Sequence, residues 1–229
     1  MRTIGLIGGM SWESTAVYYR EANELVRDRL GGLSSAKILL ASLDFREISE
    51  LQSAAKWDEA GEMLAASARG LERAGAEMLL ICTNTMHLLI DQVQSAVEVP
   101  VLHIGDVAAE AVLRRGLRRV ALLGTAFTME KEFYRERIAG HGIEVIVPSE
   151  ADRAVVHRAI FEELAVGVVS EESRTAFRDI IDRLVEAGAE GVILGCTEIE
   201  LLIDQADSPV PVFPTARLHI EAAVELALA

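Results

Sequence analysis

Two short segments of the sequence hold the side chains best suited to moving a proton. The segment LLICTNTMH, residues 79–87, places Cys82 directly before Thr83. The segment LGCTE, residues 194–198, holds Cys196, the second of the two cysteines. A thiol can act as a base or a nucleophile, and a hydroxyl can donate a proton. Because neighbouring side chains at a strand end point to opposite faces, only one of Cys82 and Thr83 can face a substrate.

An internal repeat indicates which one it is. Residues 74–92, AGAEMLLICTNTMHLLIDQ, align without a gap with residues 187–205, AGAEGVILGCTEIELLIDQ, and nine of the nineteen positions are identical. In this alignment Thr83, not Cys82, corresponds to Cys196. If Cys196 faces a cleft between two halves, Thr83 faces it from the other side, and Cys82 is a buried apolar group. The repeat therefore predicts Thr83 and Cys196 as paired catalytic positions.

Two further matches extend the repeat over most of the chain. IGLIGG from Ile4 corresponds to VALLGT from Val120, and VPV from Val99 recurs from Val210. Three matches in order, at nearly constant spacing, predict two similar halves. We assign residues 1–103 with 212–229 to the first half and residues 104–211 to the second.

The elements between these matches are typical of an α/β protein. Short runs rich in leucine and β-branched residues alternate with amphipathic segments, which favours parallel sheets built from βα units. The predicted strands are TIGLIGG, AKILLASLDF, EMLLICT, VPVLHIG, RVALLGT, IEVIVP, GVILGCT and VPVFPT. The predicted helices run from an N-cap at Ser11 to the glycines at 31 and 32, from Asp58 to Ala74, and onward from about Met86, Asp106 and Thr215.

Composition restricts the possible partners. The chain has 229 residues, 51% of them hydrophobic, and a formal net charge of −14. This charge repels phosphate backbones and anionic membranes, so we expect no nucleic-acid partner. Two cysteines in apolar runs suggest no disulfide framework, and neither a signal peptide nor a membrane span is recognised. The sequence predicts a soluble cytoplasmic protein.

Donor groups beside the two catalytic positions suit a small anion. Asn84, Thr85 and Thr197 fall at expected helix starts, where the helix dipole favours a carboxylate. His87 and Glu200 align in the repeat and are interpreted as structural. The five histidines show no metal-ligand spacing, and GLIGGMSWES is neither a dinucleotide fingerprint nor a phosphate-binding loop. We therefore expect neither a metal nor a cofactor.

Four motifs together resemble the aspartate/glutamate racemase superfamily, and its aspartate racemase branch most. They are GLIGGMSWEST, DFREI, CTNTMH and GCTEIELL, and the resemblance covers essentially the whole chain. This branch includes L-aspartate/glutamate-specific and broad-specificity amino-acid racemases. The resemblance implies two Rossmann-like (flavodoxin-like) halves with parallel sheets, related by a pseudo-two-fold axis, with the active site in the cleft between them. It also implies a cofactor-independent enzyme, an amino-acid substrate and a homodimer.

The resemblance also implies roles for individual residues. Thr83 takes the place of the first cysteine in the family pattern CNTAH, in agreement with the repeat. By similarity, Asn84, Thr85 and Thr197 hold the carboxylate and amino groups of the substrate. The residues implied to line the same cleft are Met10, Gln52 and Thr125. No lysine lies beyond residue 131, which leaves Arg46 as the candidate for recognising a side-chain carboxylate.

A racemase removes the Cα proton from one face and returns a proton to the other. A thiol with a pKa of about 8.5 suits removal, whereas a hydroxyl resembling water trails it by roughly 7 units as a base. We expect Cys196 to abstract the proton and Thr83 to supply one, with activity biased toward one enantiomer. Glu198 could help the thiol, but an acidic residue in a first helical turn is more often only a dipole partner. Two alternatives stay open: a single-cysteine decarboxylase or isomerase of this superfamily, and a protein that only binds an amino acid.

Overall fold

The computed structural model describes all residues from Met1 to Ala229. The chain divides into two compact units, one formed by Met1–His103 with His219–Ala229 and the other by Ile104–Leu218. Each unit contains a parallel four-stranded sheet with helices, which confirms the predicted α/β class. No helix combines the length and the apolar composition that crossing a membrane requires.

The first unit has the strand order β2-β1-β3-β4. Its strands are β1 (Ile4–Gly8), β2 (Ile38–Ser42), β3 (Met78–Ile81) and β4 (Val101–Leu102). Its helices are α1 (Trp12–Leu30), α2 (Phe45–Ser53), α3 (Trp57–Arg73) and α4 (Ile90–Gln94). All four residues of β3 are buried, which explains why this strand reads as a continuous apolar run rather than an alternating one.

The second unit repeats this order as β6-β5-β7-β8. Its strands are β5 (Arg119–Gly124), β6 (Glu144–Ile146), β7 (Val192–Gly195) and β8 (Val212–Pro214). The helices that follow β4 are α5 (Ile104–Arg114), α6 (Ala126–Glu130), α7 (Glu132–Ala139), α8 (Glu150–Glu162), α9 (Glu171–Glu186) and α10 (Thr215–Leu228). The last residues of α10, from His219 onward, belong to the first unit.

Strand pairing confirms the sequence repeat at single-residue register. In the first unit Ile7 pairs with Ile81, and in the second unit Leu123 pairs with Leu194. These are the residues that the sequence alignment makes equivalent, at an offset of 116 for β1 and β5 and of 113 for β3 and β7. A slip of one residue in either sheet would break this correspondence. Thr83 and Cys196 therefore occupy equivalent positions in the two units.

Two expectations need correction. The boundary expected between residues 211 and 212 is displaced, because β8 pairs with β7 in the second sheet and residues 212–218 belong to the second unit. The helix expected from about Met86 begins as a 3-10 helix, Thr85–Leu89, and continues as the short α4.

Two residues, Gly9 and Ser11, determine the conformation of the segment that follows β1. The Ser11 hydroxyl caps α1 by accepting from the main-chain N–H of Ser14, as predicted. Gly9 has a positive φ of 86°, and a Cβ there would collide with the main chain of Leu43. The missing side chain at Gly9 therefore allows the main chain after β1 to lie close to Leu43.

Candidate active site

The predicted catalytic residues lie at the topological switch point of each sheet. In the order 2-1-3-4, the two central strands are followed by segments that lead in opposite directions, and open α/β sheets bind ligands there. Thr83 follows β3, beside the segment that leaves β1 at Gly9. Cys196 follows β7, beside Thr125, which leaves β5. Each unit thus brings its own candidate residues to the carboxyl edge of its sheet.

Cys82 is part of the wall of the first unit. Its main-chain N–H donates to the Ile7 carbonyl at 2.9 Å, which extends β3 by one residue. Its side chain is fully buried, and burial raises the pKa of the thiol far above the ordinary value. A thiol without water or a basic partner is a poor nucleophile. The prediction that Cys82 is a buried apolar group is confirmed, and Thr83, half-buried, is the more accessible of the two.

Several predicted substrate-binding residues gather around the turn after Thr83. Asn84 and Thr85 are buried where the 3-10 helix begins. Gln52, on α2, donates from Nε2 to the Met86 sulfur at 3.0 Å. Met10 packs in the same apolar cluster as Met86. The first unit therefore carries Met10, Gln52, Asn84 and Thr85, and their contact with a substrate stays a prediction.

The second unit holds a thiol–carboxylate pair. Cys196 is 6% exposed, and its sulfur lies 3.0 Å from Oε2 of Glu198, which is 5% exposed. Burial raises the pKa of the Cys196 thiol well above its ordinary value, and the negative charge of Glu198 raises it further. In this state Cys196 is a protonated thiol that donates to the Glu198 carboxylate. The pair is a proton donor and a proton acceptor in contact.

Glu198 is the residue that the sequence interpretation undervalued. The only signal was its position two residues after Cys196, which an ordinary dipole partner could also occupy. In the structure the Thr197 hydroxyl also donates to Glu198 Oε2, at 2.9 Å, so Thr197 supports the carboxylate. The prediction that Thr197 binds substrate remains a prediction. Thr125 caps α6 by accepting from the Thr128 N–H, and its role toward substrate likewise stays a prediction.

The surroundings of the site add no metal centre. No three His, Cys, Asp or Glu side chains are arranged to hold a metal ion. Arg46, the candidate for a side-chain carboxylate, is exposed on α2. Arg46 and the buried residues Asn84 and Thr85 belong to the same unit.

The fold and the site are those of an α/β enzyme made of two repeated units. Each unit has a side chain that can carry a proton at the switch point of its sheet. The family model for Asp/Glu/Hydantoin racemase matches residues 7–223. The chain belongs to this family. The expectation of an amino-acid racemase is confirmed by this membership.

Similar proteins agree with the assignment. A candidate Asp/Glu racemase from Yersinia pestis is 49% identical, with the whole of both chains covered and a TM-score of 0.93. An aspartate racemase homologue from Pyrococcus horikoshii OT3 is 40% identical, again with full coverage of both, and has a TM-score of 0.88. The broad specificity amino-acid racemase RacX of Bacillus subtilis (strain 168) is 22% identical over 172 residues, which cover 75% of this chain and 74% of RacX.

Proposed function

We propose that the protein is a cofactor-independent racemase that inverts Cα of aspartate, glutamate or a related amino acid, with Cys196 and Thr83 acting on opposite faces. The observation that carries this proposal is that the two residues occupy equivalent switch-point positions in matched sheets. Two such positions, one from each unit, provide the pair of groups that inversion needs. The family membership of the chain supports the same reaction.

Cys196 and Glu198 act together in proton removal. The thiol is protonated before substrate binds, so it must lose its proton before it can act as a base. Glu198 Oε2, at 3.0 Å, accepts that proton, and the thiolate takes the Cα proton in turn. The pair thereby holds two protons, one on oxygen and one on sulfur, and the substrate carries the electron pair as a planar carbanion. The ammonium group of an amino acid would favour the thiolate by its positive charge.

Thr83 supplies the proton on the other face. Its hydroxyl is a far weaker base than a thiolate, by roughly 7 pKa units, but it is a serviceable donor to a carbanion. The hydroxyl regains its proton from solvent, and the Cys196–Glu198 pair releases its extra proton to solvent, which restores the resting state. Because enantiomers have equal free energy, kcat/KM is the same in both directions. The chemical asymmetry therefore appears in kcat, in KM and in the exchange of the Cα hydrogen.

Substrate recognition uses the donors of the first unit. Asn84 and Thr85 are buried at the start of a turn, where their groups suit the α-carboxylate. Arg46 is exposed and has no neighbouring carboxylate in an ion pair, so it suits a side-chain carboxylate. Relatives described as aspartate racemase homologue and broad specificity racemase support acidic amino acids as the first substrates to try. A homodimer in the cytoplasm belongs to the same proposal.

The experiment that tests this function is a panel of common amino acids incubated with the protein in deuterated water. We expect the Cα hydrogen of at least one acidic amino acid to exchange while the enantiomer inverts, with no loss of carbon dioxide. Carbon dioxide release would indicate a decarboxylase instead. Binding in a calorimeter without exchange or inversion would indicate a binding protein, and either result would refute the proposal.

A further inference from the structure

Three histidines of the first unit form a buried cluster next to Thr83. His87 lies in the 3-10 helix after Thr83, His103 follows β4, and His219 lies in α10. Their rings are in contact, with centroids 4.9 Å apart for His87 and His103 and 5.8 Å apart for His87 and His219. His87 is 2% exposed and His219 is fully buried. The proposed reaction has so far given this cluster no role.

The hydrogen-bond partners fix where the protons lie. His219 Nε2 is 3.1 Å from the carbonyl of Leu102, which can only accept, so Nε2 carries the proton. In the neutral ring Nδ1 is then an acceptor, and the Tyr18 hydroxyl at 3.0 Å donates to it. His87 Nδ1 lies 2.8 Å from the carbonyl of Thr83, so His87 donates to Thr83.

Burial keeps His87 and His219 neutral. It lowers the pKa of His87 well below the ordinary range, and any positive charge on His103 or His219 lowers it further. It lowers the pKa of His219 to about 3, with His103 acting in the same direction. The titratable groups that act on His87 are the rings of His103 and His219, and neither of them carries a negative charge. The carbonyls of Thr83 and Leu102 both act on His87, and a neutral ring has only one N–H to donate. Because the Leu102 carbonyl already accepts from His219, we assign the His87 proton to Nδ1, which lies 2.8 Å from the Thr83 carbonyl.

The second unit holds the equivalent carbonyl differently. The Cys196 carbonyl accepts from the main-chain N–H of Ile199 at 3.1 Å. Glu200, the counterpart of His87 in the repeat, accepts from the N–H of Ala216 at 2.7 Å and so holds the start of α10. The residue four positions after the switch point therefore donates to the switch-point carbonyl in the first unit, whereas its counterpart Glu200 accepts from α10 in the second.

We propose that His87 is the positioning residue for Thr83, a role that rests on the proposed racemase function. The bond from Nδ1 sets the orientation of the peptide group between Thr83 and Asn84, and with it the direction of the Thr83 hydroxyl. Since a rotation there would turn the hydroxyl from the substrate, His87 acts through Thr83 and touches no substrate itself. The donor on Nδ1 is the feature that the role requires.

Three substitutions at one position separate donation from packing. His87→Asn places an amide N–H close to the position of Nδ1, whereas His87→Gln carries its amide farther out, and His87→Leu has no donor. His141, a half-buried histidine paired with Asp106 in the second unit, provides the control as His141→Leu. Inversion and Cα exchange of aspartate are measured in deuterated water for every variant, with folding checked by urea denaturation.

We expect His87→Leu and His87→Gln to invert aspartate at least tenfold more slowly than the wild type. Exchange of the Cα hydrogen in the enantiomer that presents it to Cys196 should stay within threefold of the wild-type rate. His87→Asn should invert within threefold of the wild type, as should the control. Equal inversion by Asn and Gln variants, or a parallel loss of inversion and exchange, would overturn the proposal. If His87→Leu fails to fold, the Asn and Gln pair still decides.

A second readout does not depend on the reaction. Amide hydrogen exchange of residues 82–87 in the free protein should accelerate at least tenfold in His87→Gln and remain near the wild-type rate in His87→Asn. Equal rates in the two variants would overturn the positioning role. A wild-type protein that neither exchanges nor inverts any amino acid would refute the proposed function, whereas this readout would still report on the bond to Thr83.

Discussion

Cys196 and Glu198 share a proton in a nearly dry environment, which sets the chemistry at the scale of single residues. The carboxylate raises the pKa of the thiol, so the resting protein holds sulfur in its protonated form. This is the reverse of a cysteine activated by a neighbouring cation. Activation must therefore come from proton transfer to Glu198 when substrate arrives.

Replacing Glu198 by glutamine should separate activity from thiol reactivity. Glu198→Gln keeps the shape of the side chain but cannot take the thiol proton, so kcat should fall by about 100-fold or more. The lost negative charge lowers the pKa of Cys196, so alkylation of the free protein by iodoacetamide should become faster. Asp204→Asn, which alters a carboxylate in the same unit away from the thiol, is the control. Unchanged kcat in Glu198→Gln would contradict the role of the carboxylate.

The two cysteines should respond differently to the same substitution. Cys82→Ala removes a buried sulfur from the core and should lower the free energy of unfolding by about 1 kcal/mol with activity retained. Cys196→Ala should remove inversion and exchange altogether. Urea denaturation and polarimetry measure the two effects. Loss of activity in Cys82→Ala with a normal unfolding curve would show that the wrong residue of the pair had been chosen.

At the scale of elements, glycine positions the segment that leaves β1. Gly9→Ala would add a Cβ at φ 86 against the main chain of Leu43, and we expect it to cost about 2 to 4 kcal/mol of stability. Gly70→Ala is the matched control, because a Cβ there meets nothing within 4 Å inside α3. The control should gain about 0.5 to 1 kcal/mol, since alanine favours a helix. Urea denaturation compares the two, and equal stabilities would contradict the close approach at Gly9.

The sequence predicted the elements that follow from periodicity and repetition. The strands, the Ser11 cap and the equivalence of Thr83 with Cys196 could be inferred because hydrophobic pattern and register are local properties. The contacts of Glu198 and His87 could not, since they depend on side-chain direction in irregular turns. The boundary at residues 211 and 212 was wrong, because β8 pairs with β7 in the second sheet. The repeat of VPV at Val99 and Val210 already made β8 the counterpart of β4, and the assigned boundary did not follow it.

At the scale of the whole molecule, the neutral histidines make stability depend on pH. Unfolding exposes His87 and His219, which then bind protons below about pH 6.5, while the folded state holds their pKa values lower, to about 3 for His219. The stability that these two neutral rings contribute is fully present above the pKa of an unfolded histidine, about 6.5, and is lost as the pH falls below that value. Below pH 6.5, each ring should lower the free energy of unfolding by about 1.4 kcal/mol per pH unit, or roughly 2.7 kcal/mol per pH unit for both.

Urea denaturation between about pH 7 and pH 5 measures this dependence, before most carboxylates titrate. His219→Gln removes one titrating ring, so the loss of stability should fall by about 1.4 kcal/mol per pH unit. A slope unchanged by His219→Gln would show that the ring is not held neutral by the fold.

The central claim is that a sulfur and a hydroxyl of unequal basicity act on opposite faces of one carbon atom. The most direct test is Thr83→Val, which keeps the shape of the side chain and removes the hydroxyl, with each pure enantiomer of the substrate followed in deuterated water. We predict that inversion is lost while Cys196 still exchanges the Cα hydrogen of a single enantiomer. Inversion at the wild-type rate, or equal exchange of both enantiomers, would contradict the claim.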